Sequence, residues 1–205
     1  MFQEAANIAT IVGSLAVIGV IIQIGLARRQ IKADHERSRR EKTVELLLEW
    51  TKSLKENTSL ARRIVESLDE EQARNLFNEE ETRISSKYKK YLGKILEFEE
   101  NKIEEKNGYI ILSGEQVGKL RWLVMTYLNL LESILVAWQY SIVDREIIED
   151  QFSYLFAPEH GHAALKNFRI AAGAGGENAF PAIEIFSSHI EEKRRDRLKE
   201  KANIA

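Results

Sequence analysis

IATIVGSLAVIGVIIQIGLA, residues 8–27, is a run of 20 residues without a charge. At about 1.5 Å rise per residue, a helix of that length covers the hydrocarbon core of a bilayer, about 30 Å thick. A buried helix of a soluble protein rarely avoids charge for so long. A cleaved signal peptide would carry its basic residues ahead of the apolar run. Here the leader is MFQEAAN, with Glu4 and no Lys or Arg, and the basic residues follow the run. The pattern predicts a signal anchor, a single transmembrane helix over 8–27.

The flank sets the expected orientation. Arg28, Arg29, Lys32, Arg37, Arg39, Arg40 and Lys42 crowd the C-terminal side of the run. Lys and Arg resist translocation, so that side is expected in the cytoplasm, with residues 1–7 as a short external N-terminus. In a bacterium this places the chain in the inner membrane. The same cations, Arg28, Arg29, Lys32, Arg37, Arg39 and Arg40, can meet anionic lipid headgroups. Within the run, small residues recur at alternating spacings of three and four. Ala9, Gly13, Ala16 and Gln23 form the expected helix–helix interface, because small side chains let two backbones approach and the Gln23 amide can bond across.

Neither Pro nor Gly occurs between Gly25 and Gly93, so the membrane helix is expected to run on. Residues 28–42 show no apolar stripe and read as a basic helical stalk. Residues 43–205 read as a cytosolic helical domain. Val44, Leu47, Leu48 and Leu54 start an apolar stripe. Asn57-Thr58-Ser59 and Asp69 offer caps for two helices. The stretch 80–105, with Ile84, Tyr88, Tyr91, Leu92, Ile95 and Phe98, predicts one amphipathic helix. Lys106-Asn107-Gly108 is a turn signal, and Tyr109–Leu112 a connector. Ser113 and Gln116 have capping-box spacing ahead of a long helix reaching Tyr140. Its part over 122–140 is apolar enough to raise a second span. Asn129, Glu132 and Gln139 argue instead for a central core helix, since an acid near mid-span costs about 2.5–3.5 kcal/mol. Asp144 caps a further helix, and Pro181 suits a first helical position. Trp50, Trp122 and Trp138 all stand at positions expected in the core.

The chain has 205 residues and a net charge of -2, so bulk electrostatics gives no case for nucleic acid. It holds no cysteine, which excludes disulfides and thiolate zinc sites. Scarce proline, here Pro158 and Pro181 alone, and abundant Glu, Lys, Leu and Arg favour helices. The expected fold class is all-α: one N-terminal transmembrane helix continuing into a stalk and a cytosolic helical bundle.

No Walker loop, GxSxG, HExxH or EF-hand loop is present. No catalytic residue, cofactor or metal is therefore assigned. His160 and His162 lack a matched third ligand and read as surface loop. Glu132 stands out, because an acid on an apolar helix must be paired, protonated or turned to solvent. Arg169, on another partly apolar helix, is its expected partner in a buried ion pair.

Tyr127–Glu132, Ile142–Ile148, Phe156 and Leu165–Arg169 resemble an uncharacterised bacterial family whose members have an N-terminal membrane helix and a helical cytosolic domain. The resemblance spans about the last 80 residues and the overall layout. It implies bacterial origin and architecture, and no activity. Small anchored helical proteins of this kind are also similar to membrane effectors of phage-defence systems. Three functions are therefore weighed. The first is a non-enzymatic interaction protein that localises or assembles a cytosolic complex, with the bilayer, a second copy or a cytosolic protein as partner. The second is a membrane-perturbing effector of a phage-defence or toxin system. The third is an enzyme with an atypical helical pocket around Glu132.

Overall fold

The computed structural model describes residues 2–97, 105–157, 163–176 and 178–204, with side chains between residues 20 and 200. Helix α1 runs unbroken over Phe2–Ser53. There follow α2 (Glu56–Val65), α3 (Glu70–Phe77), β1 (Thr82–Ser85), α4 (Lys89–Leu96), β2 (Glu105–Lys106), β3 (Tyr109–Leu112), α5 (Gly114–Gln139), α6 (Arg145–Phe152), α7 (Lys166–Ala172) and α8 (Pro181–Ile204). Short 3-10 turns precede α4 and follow α6.

The chain is mostly helical, but the all-α expectation needs amending. β1, β3 and β2 form a small antiparallel sheet in that order. The helix expected over 80–105 is therefore interrupted at its start, and the expected connector Tyr109–Leu112 is the central strand. Ile84 pairs with Ile110, and both are fully or nearly fully buried. Along both strands burial alternates with a period of two, as a half-buried strand requires. Asn107 and Gly108 take positive φ of 53° and 79°, forming the two-residue turn between β2 and β3. An Asn-Gly pair favours such turns because both residues reach left-handed conformations at low cost.

Helix α5 is the centre of the core. Val117, Leu120, Val124, Tyr127, Leu128, Leu131, Ile134, Leu135 and Trp138 fall at helical spacing on its buried face. Ile64 of α2, Leu76 of α3 and Phe186 of α8 join the same core, and Phe168 of α7 enters it beside Phe77 at the end of α3. The Trp138 and Phe186 rings meet edge to face at 4.9 Å. Trp122 departs from expectation. It is 66% exposed, because it shares the outer face of α5 with Lys119, Thr126, Asn129 and Ser133.

Local stops and starts follow side-chain chemistry. Asp69 accepts from the Gln72 N–H at 2.8 Å while Gln72 Oε1 accepts from the Asp69 N–H at 3.1 Å. This reciprocal pairing satisfies two donors that a helix start leaves open. The Ser113 N–H likewise donates to Gln116 Oε1 at 2.9 Å at the start of α5. The cap expected at Asn57-Thr58-Ser59 is not used. Helix α2 begins earlier, at Glu56, and Thr58 is buried within it.

Burial along α1 has a sharp boundary. Every described side chain from 20 to 42 is exposed, and Thr43 is the first buried one. Beyond it Leu46, Leu47, Trp50 and Leu54 pack against the bundle, whereas Val44 and Leu48 face outward. Trp50 meets Tyr127 at 5.5 Å and Phe152 at 5.2 Å, edge on in both cases.

Candidate functional site

The joint between α1 and the bundle is built on one hydroxyl. Thr43 donates to the Arg39 carbonyl one turn back at 2.7 Å and accepts from the Asp144 N–H at 2.8 Å. Asp144 is the N-cap of α6 and accepts from the Ile147 N–H at 3.4 Å. Its other oxygen lies 3.5 Å from Arg40 Nε. The expected stalk is thus tied to the start of α6 by a hydroxyl and an ion pair. The chain reaches that start through the turn Ser141–Ile142, where Ser141 has a positive φ of 55°.

Above this joint, α1 and the turn enclose an open cleft of about 560 Å³. Arg28, Lys32, His35 and Arg39 line it from α1, joined by Ile31 and Ser38, while Ser141 and Ile142 line it from the turn. The spacings of four, three and four residues put these four side chains on one face of the helix. No carboxylate lines the cleft. Lys32 has a loose ion pair with Glu36 at 4.0 Å, and Arg28 and Arg39 have none among the described residues.

The cations expected at the headgroups thus divide. Arg28, Lys32 and Arg39 line the cleft, while Arg37 pairs with Glu41 at 2.8 Å and Arg40 with Asp144. Arg29 is exposed on α1 and does not line the cleft. Gln23 is also exposed on α1. Ala9, Gly13 and Ala16 lie outside the residues whose side chains are described, as do His160 and His162.

Glu132 does not pair with Arg169. Its two oxygens accept from the Ala182 and Ile183 N–H groups at 2.8 and 2.9 Å, at the start of α8. Pro181 opens that helix and has no N–H, so the next two amides are the donors left open. A carboxylate here also meets the positive end of the helix dipole. Arg169 donates Nε to the Ala164 carbonyl at 3.0 Å and pairs through Nη1 with Glu184. Sequence alone identified two polar groups in need of partners, but not which helix start would arrive beside the acid.

Two further acids escaped the sequence reading. Glu66 gathers the Ala163 and Leu165 N–H groups ahead of α7, the latter at 3.0 Å. Glu149, buried between α6 and α8, accepts from Trp138 Nε1 at 3.0 Å and Lys193 Nζ at 2.7 Å. His189 Nε2 lies 3.1 Å from it, at ion-pair distance but without the alignment of a full hydrogen bond. Burial alone would raise the Glu149 pKa, but Lys193, Trp138 and His189 outweigh it and hold the carboxyl below its ordinary value. A smaller concavity of about 310 Å³ opens beside Glu149, with Lys193, Arg194 and Arg197 on α8 facing Glu149 and Asp150 on α6. Its charges are mixed, and Lys193 is already held by Glu149.

These acids close helix ends and helix contacts, and no catalytic pairing stands among them. The α1 cleft differs in having cations without anions. In comparisons with known proteins, no family model, no curated protein and no solved structure matches the chain.

Proposed function

We propose that this chain is a membrane-anchored, non-enzymatic interaction protein. Residues 8–27 cross the bacterial inner membrane with the N-terminus outside, and the helical bundle localises or assembles a complex on the cytoplasmic side. The observation that carries this reading is the apolar end of α1. Val20, Ile21, Ile22, Ile24 and Leu26 are all exposed. At about 100° per residue, these positions lie all around the helix and not on one side. A docked partner helix would need only one apolar face; a helix apolar all round suits lipid.

Among the described residues, α5 is the one helix both long and apolar enough to cross a membrane. Its apolar side chains form the core against α2 and α8, which favours α1 as the anchor. Gln23 and the small residues Ala9, Gly13 and Ala16 supply a face on which two spans can pair.

Carbonate extraction of native membranes tests the anchor. The full chain is expected in the pellet, with the bundle open to protease only from the cytoplasmic side. A chain released by carbonate would overturn the anchor. Mild-detergent extraction tests the interaction role. A homo-oligomer or a defined heteromeric complex is expected, and a lone monomer without a co-purifying partner would overturn it.

A further inference from the structure

Three concavities and one exposed helix face compete as further sites. The outer stripe of α5 carries Trp122, Val136 and Tyr140, but nothing indicates what would cover it. The concavity beside Glu149 has its nearest cation engaged. A third, along α8, is lined by Glu184 and Glu192 with Arg195, and Glu184 is already paired with Arg169. The cleft between α1 and the Ser141–Ile142 turn combines uncompensated charge, two walls and a defined position relative to the apolar run.

We propose that this cleft is a binding site for a phosphate-bearing anion, which bridges the anchor helix to the bundle. Two guanidinium groups, Arg28 and Arg39, and the Lys32 ammonium face one space without a lining carboxylate. Guanidinium matches phosphate oxygens in pairs, and the Ser38 and Ser141 hydroxyls can donate to the remaining oxygens. Ile31 and Ile142 provide apolar lining for whatever carries the phosphate. A volume of about 560 Å³ exceeds that of a bare phosphate and suits a phosphate ester.

Depth along α1 bears on the source. Counted from Ala27 at about 1.5 Å per residue, Arg28 lies at the hydrocarbon edge, Lys32 about 7 Å below it and Arg39 about 18 Å below it. The headgroup layer is only about 5–7 Å thick on each side. A lipid phosphate therefore meets Arg28 and Lys32 directly, and reaches Arg39 and Ser141 when α1 tilts or the arginine extends upward. A soluble phosphate ester reaches the lower end without tilt. Both sources share the same chemistry. The lipid source rests on the anchoring reading, whereas the soluble source does not.

The test uses the full chain in neutral detergent micelles. One arm is titrated with phosphatidylglycerol and the other with inorganic pyrophosphate, with bound ligand read by native mass spectrometry. Arg28→Gln/Arg39→Gln is expected to weaken binding about fivefold per removed cation. Arg74→Gln/Arg83→Gln removes the same charge from exposed positions of the bundle outside the cleft, and is expected to keep most of the affinity. Ser141→Asp places a carboxylate on the other wall. It suits the positive φ of that position, because aspartate tolerates it better than most residues. It too should weaken binding about fivefold.

Selective loss with phosphatidylglycerol assigns a lipid ligand, selective loss with pyrophosphate a soluble one, and loss with both the shared phosphate. Equal loss in the cleft and off-cleft pairs, no effect of Ser141→Asp, or no saturable binding in either arm would overturn the proposal. Carbonate extraction of the same variants keeps the two readings apart, since the cleft changes leave the apolar run untouched.

Discussion

Glu132 closes the start of α8 from a helix 50 residues earlier in the chain, and both its oxygens are needed for that. Glu132→Gln keeps one acceptor but turns an amide NH2 toward a backbone donor. A loss of about 1 kcal/mol is expected, and about 2–3 kcal/mol for Glu132→Ala, which orphans both N–H groups. Urea unfolding followed by tryptophan fluorescence would measure both; a silent Glu132→Ala would show that the cap is unimportant. Glu149 makes a pH prediction. Its pKa is lowered in the fold, so its contribution is complete above the ordinary glutamate value, about 4.3, and fades as pH falls through the lower folded value. The groups facing it are Arg145 on its own helix, Trp138 on α5, and His189 and Lys193 on α8. Glu149→Gln should be less stable than the parent by about 1–3 kcal/mol at neutral pH, and the gap should narrow below about pH 4. A gap that stayed constant would mean the charge is irrelevant. Tyr127 presents the opposite case. Its ring is buried and its hydroxyl has no hydrogen-bond partner among the described residues, and that burial pushes its pKa up. Tyr127→Phe keeps the edge contact with Trp50 and should unfold at an equal or higher midpoint.

Elements were legible where local chemistry decides them and obscure where a distant partner does. Asp69, Ser113 with Gln116, and Pro181 are signals read within four residues, and each stands at its helix start. The small sheet was not readable that way. Ile84 and Tyr88 are four apart, which imitates a helical stripe, and the partner strand of β1 lies beyond α4. Thr82–Ser85 spans only four residues, too few for its period of two to stand out. Trp122 was misplaced for a related reason: an aromatic in an apolar run reads as core until the outer face of the helix is known. The attachment of α1 was equally hidden, since nothing near Thr43 in sequence announces Asp144. Thr43→Val keeps the shape but leaves the half-buried Asp144 N–H without its acceptor, at an expected cost of about 1 kcal/mol. Thr43→Ser should recover most of that. Thermal unfolding of the two variants side by side would check it, and equal melting would remove the hydroxyl from the joint.

At the scale of the molecule, one helix of 52 residues joins the apolar run to the bundle without a break. The order of apolar run, basic stretch and helical bundle was readable because charge and hydropathy change abruptly at Arg28 and again near Thr43. The cleft was not, since its second wall comes from a turn more than a hundred positions away. An uninterrupted helix has a rotational consequence. It transmits azimuth: any turn of the apolar run about its own axis becomes the same turn of the bundle, because no loop absorbs the twist. Under the proposed pairing of two copies through the Gln23 face, the sequence between Arg28 and Lys42 would act as a phase setting for the two bundles. Inserting one alanine there should rotate each bundle by about 100° and inserting seven should restore the original heading, about 10.5 Å further out. In this cysteine-free chain, a single spin label at Tyr140→Cys would read the change as a distance between copies. A distance indifferent to the inserted residue would mean that the bundles swivel freely on their shafts.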